Sequence, residues 1–316
     1  MSTLKIMGVA AGLALGFATL PALAFEPERD VTIVVTSSAG GGSDTATRIL
    51  ASVIDELELT PVNFLVENRT GGSGSVGYSF VAGRTGDPYL WTKVGVSFFT
   101  TPLMGESPVS YTDFTPLAAI SVDPYIMVVA ANSPIQSLDD IIESGRMISG
   151  TTGIVADPAL LAQKLQEELE IEVDIVPFGG DGEVTAALLG GHIEVQFGNP
   201  SEVLELIEAG EVRAIAASSD RRVPGFDDIP TFVELGYDVV QTQLRGFVMP
   251  RDVPEDAVGY WTAIIEQAVA SPQWKEQYLD RFNAIPYVLS GAEFQAEMDR
   301  RNEEYTELMT TLGIIE

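Results

Sequence analysis

The sequence predicts an α/β protein of two lobes with mainly parallel sheets. Three observations carry that reading. A strand, a small-residue loop and a helix recur about six times along the chain. The first repeat is unusually clear: the β-branched run Val31–Val35 leads through Thr36-Ser37-Ser38-Ala39-Gly40-Gly41-Gly42-Ser43-Asp44 into an apolar stripe at Ala46, Ile49, Leu50, Val53, Ile54 and Leu57. A near-continuous apolar run marks a strand buried on both faces, and the i, i+3, i+4, i+7 spacing marks one face of a helix. Finally, a chain of 316 residues is long enough for two compact cores.

Taken in order, Val62–Val66 reads as a second strand, and Gly71–Gly77 is a second glycine-rich loop opening onto a short helix near Tyr78–Ala82. Tyr89–Thr92 is a third strand, and Val94–Met104 a loop entering a helical turn. Leu117–Ile120 and Tyr125–Ala131 are strands, and Ser137 begins a helix. The pattern then restarts. Met147–Ser149 leads through Gly150–Asp157 into a helix with the stripe Leu161, Leu165, Leu169, its proline at Pro158 suited to the first turn. Val173–Phe178, the turn Gly179–Gly182, a helix over Glu183–Leu189 and a strand over Ile193–Phe197 follow. Gly198–Ser201 starts the helix Glu202–Glu208, and Arg213–Ala217 is one more strand. Val239–Arg245 leads into Gly246–Met249, the return to the first lobe, and helices over Ala257–Ala270 and Glu293–Leu312 close the chain. The expected division is a leader at 1–24, a first lobe of 25–124 with 247–316, and a second lobe of 125–246.

The leader follows from Lys5, the apolar segment Ile6–Leu20 and Ala22-Leu23-Ala24, the pattern of a secretory signal cleaved before Phe25. With 17 basic against 46 acidic residues, the net charge of −29 makes nucleic acid and anionic membranes poor partners. A 46% hydrophobic content argues for a folded core, so the acidity reads as solvation of the surface. The absence of cysteine removes disulfides, thiolate metal sites and a Cys nucleophile. No cofactor and no metal are expected.

In open α/β sheets a ligand sits outside the carboxyl ends of strands, where unpaired helix-start N–H groups favour anions. Five small-residue loops, at Ala39–Asp44, Gly71–Gly77, Gly150–Asp157, Gly179–Gly182 and Gly198–Ser201, therefore predict a cleft lined by backbone donors. Gly72-Ser73-Gly74-Ser75-Val76-Gly77 matches G-x-G-x-x-G, but Glu67–Gly71 separate it from its strand and Lys93 stands after the next one. That context does not suit a dinucleotide. The sole histidine, His192, reads as a turn residue. Acidic pairs such as Asp139-Asp140 and Glu303-Glu304 read as solvated faces. Arg245 differs: a guanidinium entering an apolar strand needs a partner, either a ligand carboxylate or a structural acid. For Arg48 and Arg69, surface or interlobe ion pairs are the simpler reading.

Taken together, Ala39-Gly40-Gly41-Gly42-Ser43-Asp44, Val66–Gly72, Asp113–Leu117, Val176–Gly180, Ala187–His192, Asn199–Glu202, Ile207–Ala214 and Asp228–Thr231 resemble a known family. It is that of the extracytoplasmic solute receptors of tripartite tricarboxylate transporters, the TctC-like or Bug receptors, and the resemblance spans essentially the whole chain after the leader. It implies a two-lobed, type II-like periplasmic-binding-protein fold that closes on a small carboxylate and delivers it to a membrane permease pair. The family's binding loops carry over to Ala39, Gly40, Gly41, Ser43 and Asp44 on one lobe and to Thr151, Thr152, Gly179, Gly180 and Asn199 on the other. Arg245 falls where one branch has Trp-Arg-Gly. At Asp157 and Pro158 the chain departs from the polar residue and histidine often found there.

The expectation is thus a monomeric, non-enzymatic periplasmic receptor for a tri- or dicarboxylate. A receptor presenting its closed form to a signalling kinase and an exported carboxylate-using hydrolase remain as alternatives.

Overall fold

A computed structural model of the protein describes residues 25–316, so the expected leader lies outside the described residues. The first lobe opens with β1 (Val31–Val35), α1 (Gly42–Glu56), β2 (Phe64–Asn68), α2 (Ser75–Ala82), β3 (Leu90–Val94), α3 (Val96–Leu103) and β4 (Phe114–Pro124). The second comprises β5 (Ile126–Ala130), α4 (Leu138–Ser144), β6 (Arg146–Thr151), α5 (Asp157–Leu169), β7 (Glu172–Pro177), α6 (Asp181–Leu189), β8 (Val195–Gly198), α7 (Pro200–Glu208) and β9 (Val212–Ala217). The chain returns through β10 (Thr242–Pro250) to α8 (Glu255–Val269), α9 (Pro272–Trp274), β11 (Ile285–Ser290) and α10 (Gly291–Thr311).

Two sheets result, of strand order β11-β4-β10-β3-β1-β2 and β7-β6-β8-β5-β9, each flanked by helices. The pairings β2-β1-β3 and β7-β6-β8 are parallel, and these strands feed the glycine turns. The other pairings are antiparallel, so both sheets are mixed and not mainly parallel. The reason lies in the crossings. A chain that leaves one sheet through β4 and returns through β10 must run those two strands in opposite directions, and they pair with each other along Thr242–Pro250. Because β10 joins the first sheet from Thr242 onward, the expected boundary at 246/247 falls inside a strand.

Each helix stripe read from the sequence meets a sheet. Ala46, Leu50, Val53 and Ile54 are buried with Trp91 and Trp261, whose rings meet edge to face at 5.5 Å. In the second lobe, Leu161, Leu165 and Leu169 pack with Met127 and Phe197. The first-lobe core also takes in Val155 and Leu160 from the second lobe, against Phe98 and Phe99, while Thr100 Oγ1 donates to Val155 O at 2.9 Å. The loop before α5 is therefore a wedge between the lobes. β11 had no counterpart in the sequence reading, because its alternation is weak and Pro286 interrupts it at a sheet edge.

Candidate functional site

A cavity of about 390 Å³ opens between the lobes at the carboxyl ends of β1, β3, β6, β7 and β8. The first lobe contributes Thr36–Ser38, Ser43, Gly71, Ser73, Gly74, Lys93 and Ser97. Opposite lie Thr152, Gly153, Phe178–Asp181, Asn199 and Glu202, with Tyr125 and Gln243 at the crossings. All five small-residue loops thus reach one cavity, as the topology of open α/β sheets demands.

Of the expected site residues, Ser43, Thr152, Gly179, Gly180 and Asn199 line it. Ala39 and Gly40 are exposed outside it. Gly41 is buried behind it, where a Cβ would stand 3.1 Å from Asp181 Oδ2. Thr151 is also buried behind the lining, and its hydroxyl donates to Gly153 O at 3.0 Å, shaping the loop that presents Thr152. Asp44 turns inward: it accepts from Gly40 N at 2.9 Å, Arg48 Nε at 2.9 Å and Asn68 Nδ2 at 2.9 Å. Burial opposes its ionisation, but Arg48, Gly40 and Asn68 together hold its pKa below the ordinary value.

The helix-start amides are only partly free. Gly40 N–H is taken by Asp44, Gly179 N–H by Glu183 at 2.9 Å, and Asn199 N–H by Glu202 at 3.0 Å. Gly42 N–H, at the start of α1, donates across the cleft to Glu202 Oε1 at 3.1 Å. Among the described residues, Ser43 N–H and Gly180 N–H retain no intramolecular acceptor. Thr36 Oγ1 and Ser37 Oγ are buried without a partner among the described residues. Unpaired buried hydroxyls are costly unless water or a guest completes them.

Arg245 does not line the cavity. Its guanidinium is spent on Asp123 Oδ2 through Nε, on Ser43 Oγ at 3.2 Å and on Asn199 Oδ1 at 3.0 Å. Burial works against its charge, yet Asp123 keeps its pKa above the usual arginine value. Tyr278 also donates to Asp123, at 2.9 Å. The partner left open by the sequence is therefore a structural acid, and the arginine fixes one cleft residue from each lobe. Arg48 and Arg69 are ion-paired at the surface, with Asp44 at 2.9 Å and Glu67 at 2.8 Å. His192 is exposed in its turn.

Three charged cleft residues escaped the sequence reading. Lys93 is only 6% exposed and faces the cavity, with no hydrogen bond and no carboxylate within 4.0 Å among the described residues. A lysine closing the apolar run Leu90-Trp91-Thr92 was a visible signal of the same kind as Arg245. Asp181 and Glu202 sit in the first turns of α6 and α7, where acids are commonplace, so their facing a shared cavity had no sequence signal. Burial first, and then the neighbouring Asp181, push Glu202 up to about 8, against Arg245 and the N–H groups of Asn199 and Gly42. Burial likewise raises Asp181, opposed by Arg245 and Lys93.

Residues 48–307 match the family described as "Tripartite tricarboxylate transporter family receptor". A Cupriavidus necator protein called "UPF0065 protein in gbd 5'region" is 27% identical over 312 residues, covering 94% of each chain. BugT of Bordetella pertussis is 28% identical over 225 residues, 67% of each. Among solved structures, the periplasmic binding protein BugD has a TM-score of 0.83 at 25% identity, covering 92% of this chain and 99% of its own. A TctC solute binding protein from Polaromonas gives 0.69 at 26%, covering 90% and 99%. Rpa4515 of R. palustris, solved with adipate, shares the fold with a TM-score of 0.85 at 24% identity, covering 91% and 98%. With the family matched over most of its length and the same two-lobed architecture around one cleft, the chain belongs to the tripartite tricarboxylate transporter receptors, periplasmic solute receptors of that transporter class.

Proposed function

We propose that the protein captures a small di- or tricarboxylate in its interlobe cleft and hands it to the membrane permease subunits of a tripartite transporter. It acts as an exported monomer released from a leader at 1–24, and it performs no chemistry on its guest. The observation that carries the ligand class is Lys93, a buried ammonium facing the cavity with no carboxylate within 4.0 Å among the described residues. A buried charge without a partner is costly, and a guest carboxylate removes that cost. Thr36, Ser37, Ser43, Thr152 and the Gly180 N–H supply further donors, as the family resemblance implies for three of these positions. Arg245 acts at one remove, holding Ser43 and Asn199 at the cleft edge. Donors on both lobes make closure more favourable with a bridging guest, a population shift driven by differential affinity.

Thermal unfolding against a panel of mono-, di- and tricarboxylates tests this. A ligand at 100 times its dissociation constant adds about 2.7 kcal/mol to stability, a clear rise in melting temperature. No shift with any member, or turnover of the bound compound, would overturn the reading.

A further inference from the structure

Asp157, where the sequence departs from its family's pattern, is fully buried at the start of α5. Among the described residues, no backbone N–H and no cation is in contact with its carboxyl. Pro158 has no N–H, and the Ala159 and Leu160 N–H groups are given to Ala156 O. Arg301, on α10, favours the ionised form but pairs with Glu297 at 2.9 Å instead. The partners of Asp157 are neutral: Tyr305 Oη at 2.8 Å and Gln241 Nε2 at 2.7 Å donate to Oδ1, and Tyr125 Oη lies 3.0 Å from Oδ2. Burial raises its pKa, against the pull of these three groups and of Arg301.

The hydrogens around Tyr125 can be counted. Its Oη also stands 3.2 Å from Gln243 Oε1. A phenol has one hydrogen, so an ionised Asp157 leaves one of the two contacts as lone pair against lone pair. A protonated Asp157 supplies the missing hydrogen: its Oδ2–H donates to Tyr125, whose O–H then donates to Gln243 Oε1. With that carbonyl engaged, the amide turns Nε2 toward Lys93. The Gln243 and Lys93 nitrogens stand 3.4 and 2.9 Å from where a Cβ on Gly95 would lie, and both residues line the cavity. Two nitrogen donors side by side suit the two oxygens of one carboxylate. An ionised Asp157 would instead draw the Tyr125 hydrogen to itself, as the stronger acceptor. The Gln243 amide would then turn over to donate to Tyr125, and its oxygen would compete with a guest for Lys93.

We propose that Asp157 is carried as a neutral acid whose proton, acting through Tyr125, fixes the Gln243 N–H beside Lys93, so that lysine and glutamine together seat the guest carboxylate. The role of the seat rests on the receptor reading above, whereas the hydrogen-bond chain can be tested without any guest. Asp157 acts through Tyr125 and Gln243, as a positioning residue.

The first test is carbon NMR of aspartate-labelled, ligand-free protein at pH 7. The Asp157 carboxyl signal, identified by its loss in Asp157→Asn, appears at the shift of a protonated acid; the shift of an ionised carboxylate overturns the proposal. The second is calorimetric titration with succinate and with citrate. Tyr125→Phe and Asp157→Leu weaken whichever acid binds by about tenfold, the worth of one hydrogen bond to a charged group. Asp157→Asn, which offers Tyr125 an N–H where the acid offers its O–H, restores affinity to within about twofold of the parent, the scatter between uncoupled sites. Tyr305→Phe removes a buried bond of the same kind from the other oxygen and stays within about the same twofold, which a merely structural role of the cluster does not allow. Circular dichroism checks that each variant is folded, and if Asp157→Leu is not, the contrast between Tyr125→Phe and Tyr305→Phe decides. Equal losses in those two, or an Asp157→Asn protein as weak as Asp157→Leu, overturn the proposal and leave the receptor reading standing. If neither acid binds the parent protein, the carbon signal alone decides the proposal, and the receptor reading falls only if the wider carboxylate panel is also silent.

Discussion

On the first-lobe wall, Thr36, Ser37 and Lys93 turn hydrogen-bond donors toward the cleft, whereas the second-lobe wall offers the carboxylates of Asp181 and Glu202. Both walls are made from strand, glycine turn and helix. The difference arises in the first helical turns. α6 carries Asp181 and Glu183 there and α7 carries Glu202, acids that complement the helix dipole and accept the local amides. α1 has only Asp44, which turns back to Gly40, so the Gly42 N–H is left to donate to a carboxylate from outside its own helix. Glu202 takes that place from the opposite lobe. One wall therefore supplies the acid that the other lacks, and the contact between Gly42 and Glu202 is one of the points where the lobes meet.

The comparison breaks most severely at Arg245, which ties Ser43 on one wall to Asn199 on the other while neutralising Asp123. Arg245→Ala leaves Asp123 buried and uncompensated, and urea denaturation is expected to show a loss of about 3–5 kcal/mol. A loss below about 1 kcal/mol, the scale of a surface pair, would mean that the network contributes little.

A smaller effect is expected where the walls touch. A Cβ on Gly42 would stand 2.6 Å from Arg245 Nη2 and 2.9 Å from Glu202 Oε1, so Gly42→Ala costs closure about 1–3 kcal/mol. Small-angle scattering should show a more open particle and calorimetry a weaker ligand. Gly182→Ala, with nothing within 4 Å, is the control and should change neither.

The mildest effect is a slope with pH. Glu202 ionises near 4.5 when exposed and near 8 in place. Between those values the folded, closed protein holds a proton that the opened or unfolded chain does not. Its contribution is full below 4.5 and is lost as pH rises toward 8, at no more than about 1.4 kcal/mol per pH unit. Melting curves across this range should flatten in Glu202→Gln relative to the parent protein; parallel curves would remove Glu202 as the source.

Much of this was legible along the chain. The stripe Ala46, Leu50, Val53, Ile54 and the stripe Leu161, Leu165, Leu169 became buried faces because helical periodicity is a local property. The glycine turns reached a common cavity because parallel strands of one sheet all end on the same side. β11 was not legible, since an edge strand broken by proline lacks an alternation strong enough to read.

Composition, periodicity and turn chemistry by themselves determined an α/β chain in two lobes, the positions of the loops that face the cleft, and a family membership written in ordered short motifs. Only the tertiary structure decided which charges are spent and which are free. It gave Arg245 to Asp123, turned Asp44 inward, and left Lys93 and Asp181 facing one another without contact. The physical reason is range. Secondary structure follows from neighbours within a few residues, but the partner of a buried charge is set by groups from distant segments that meet only when the lobes do.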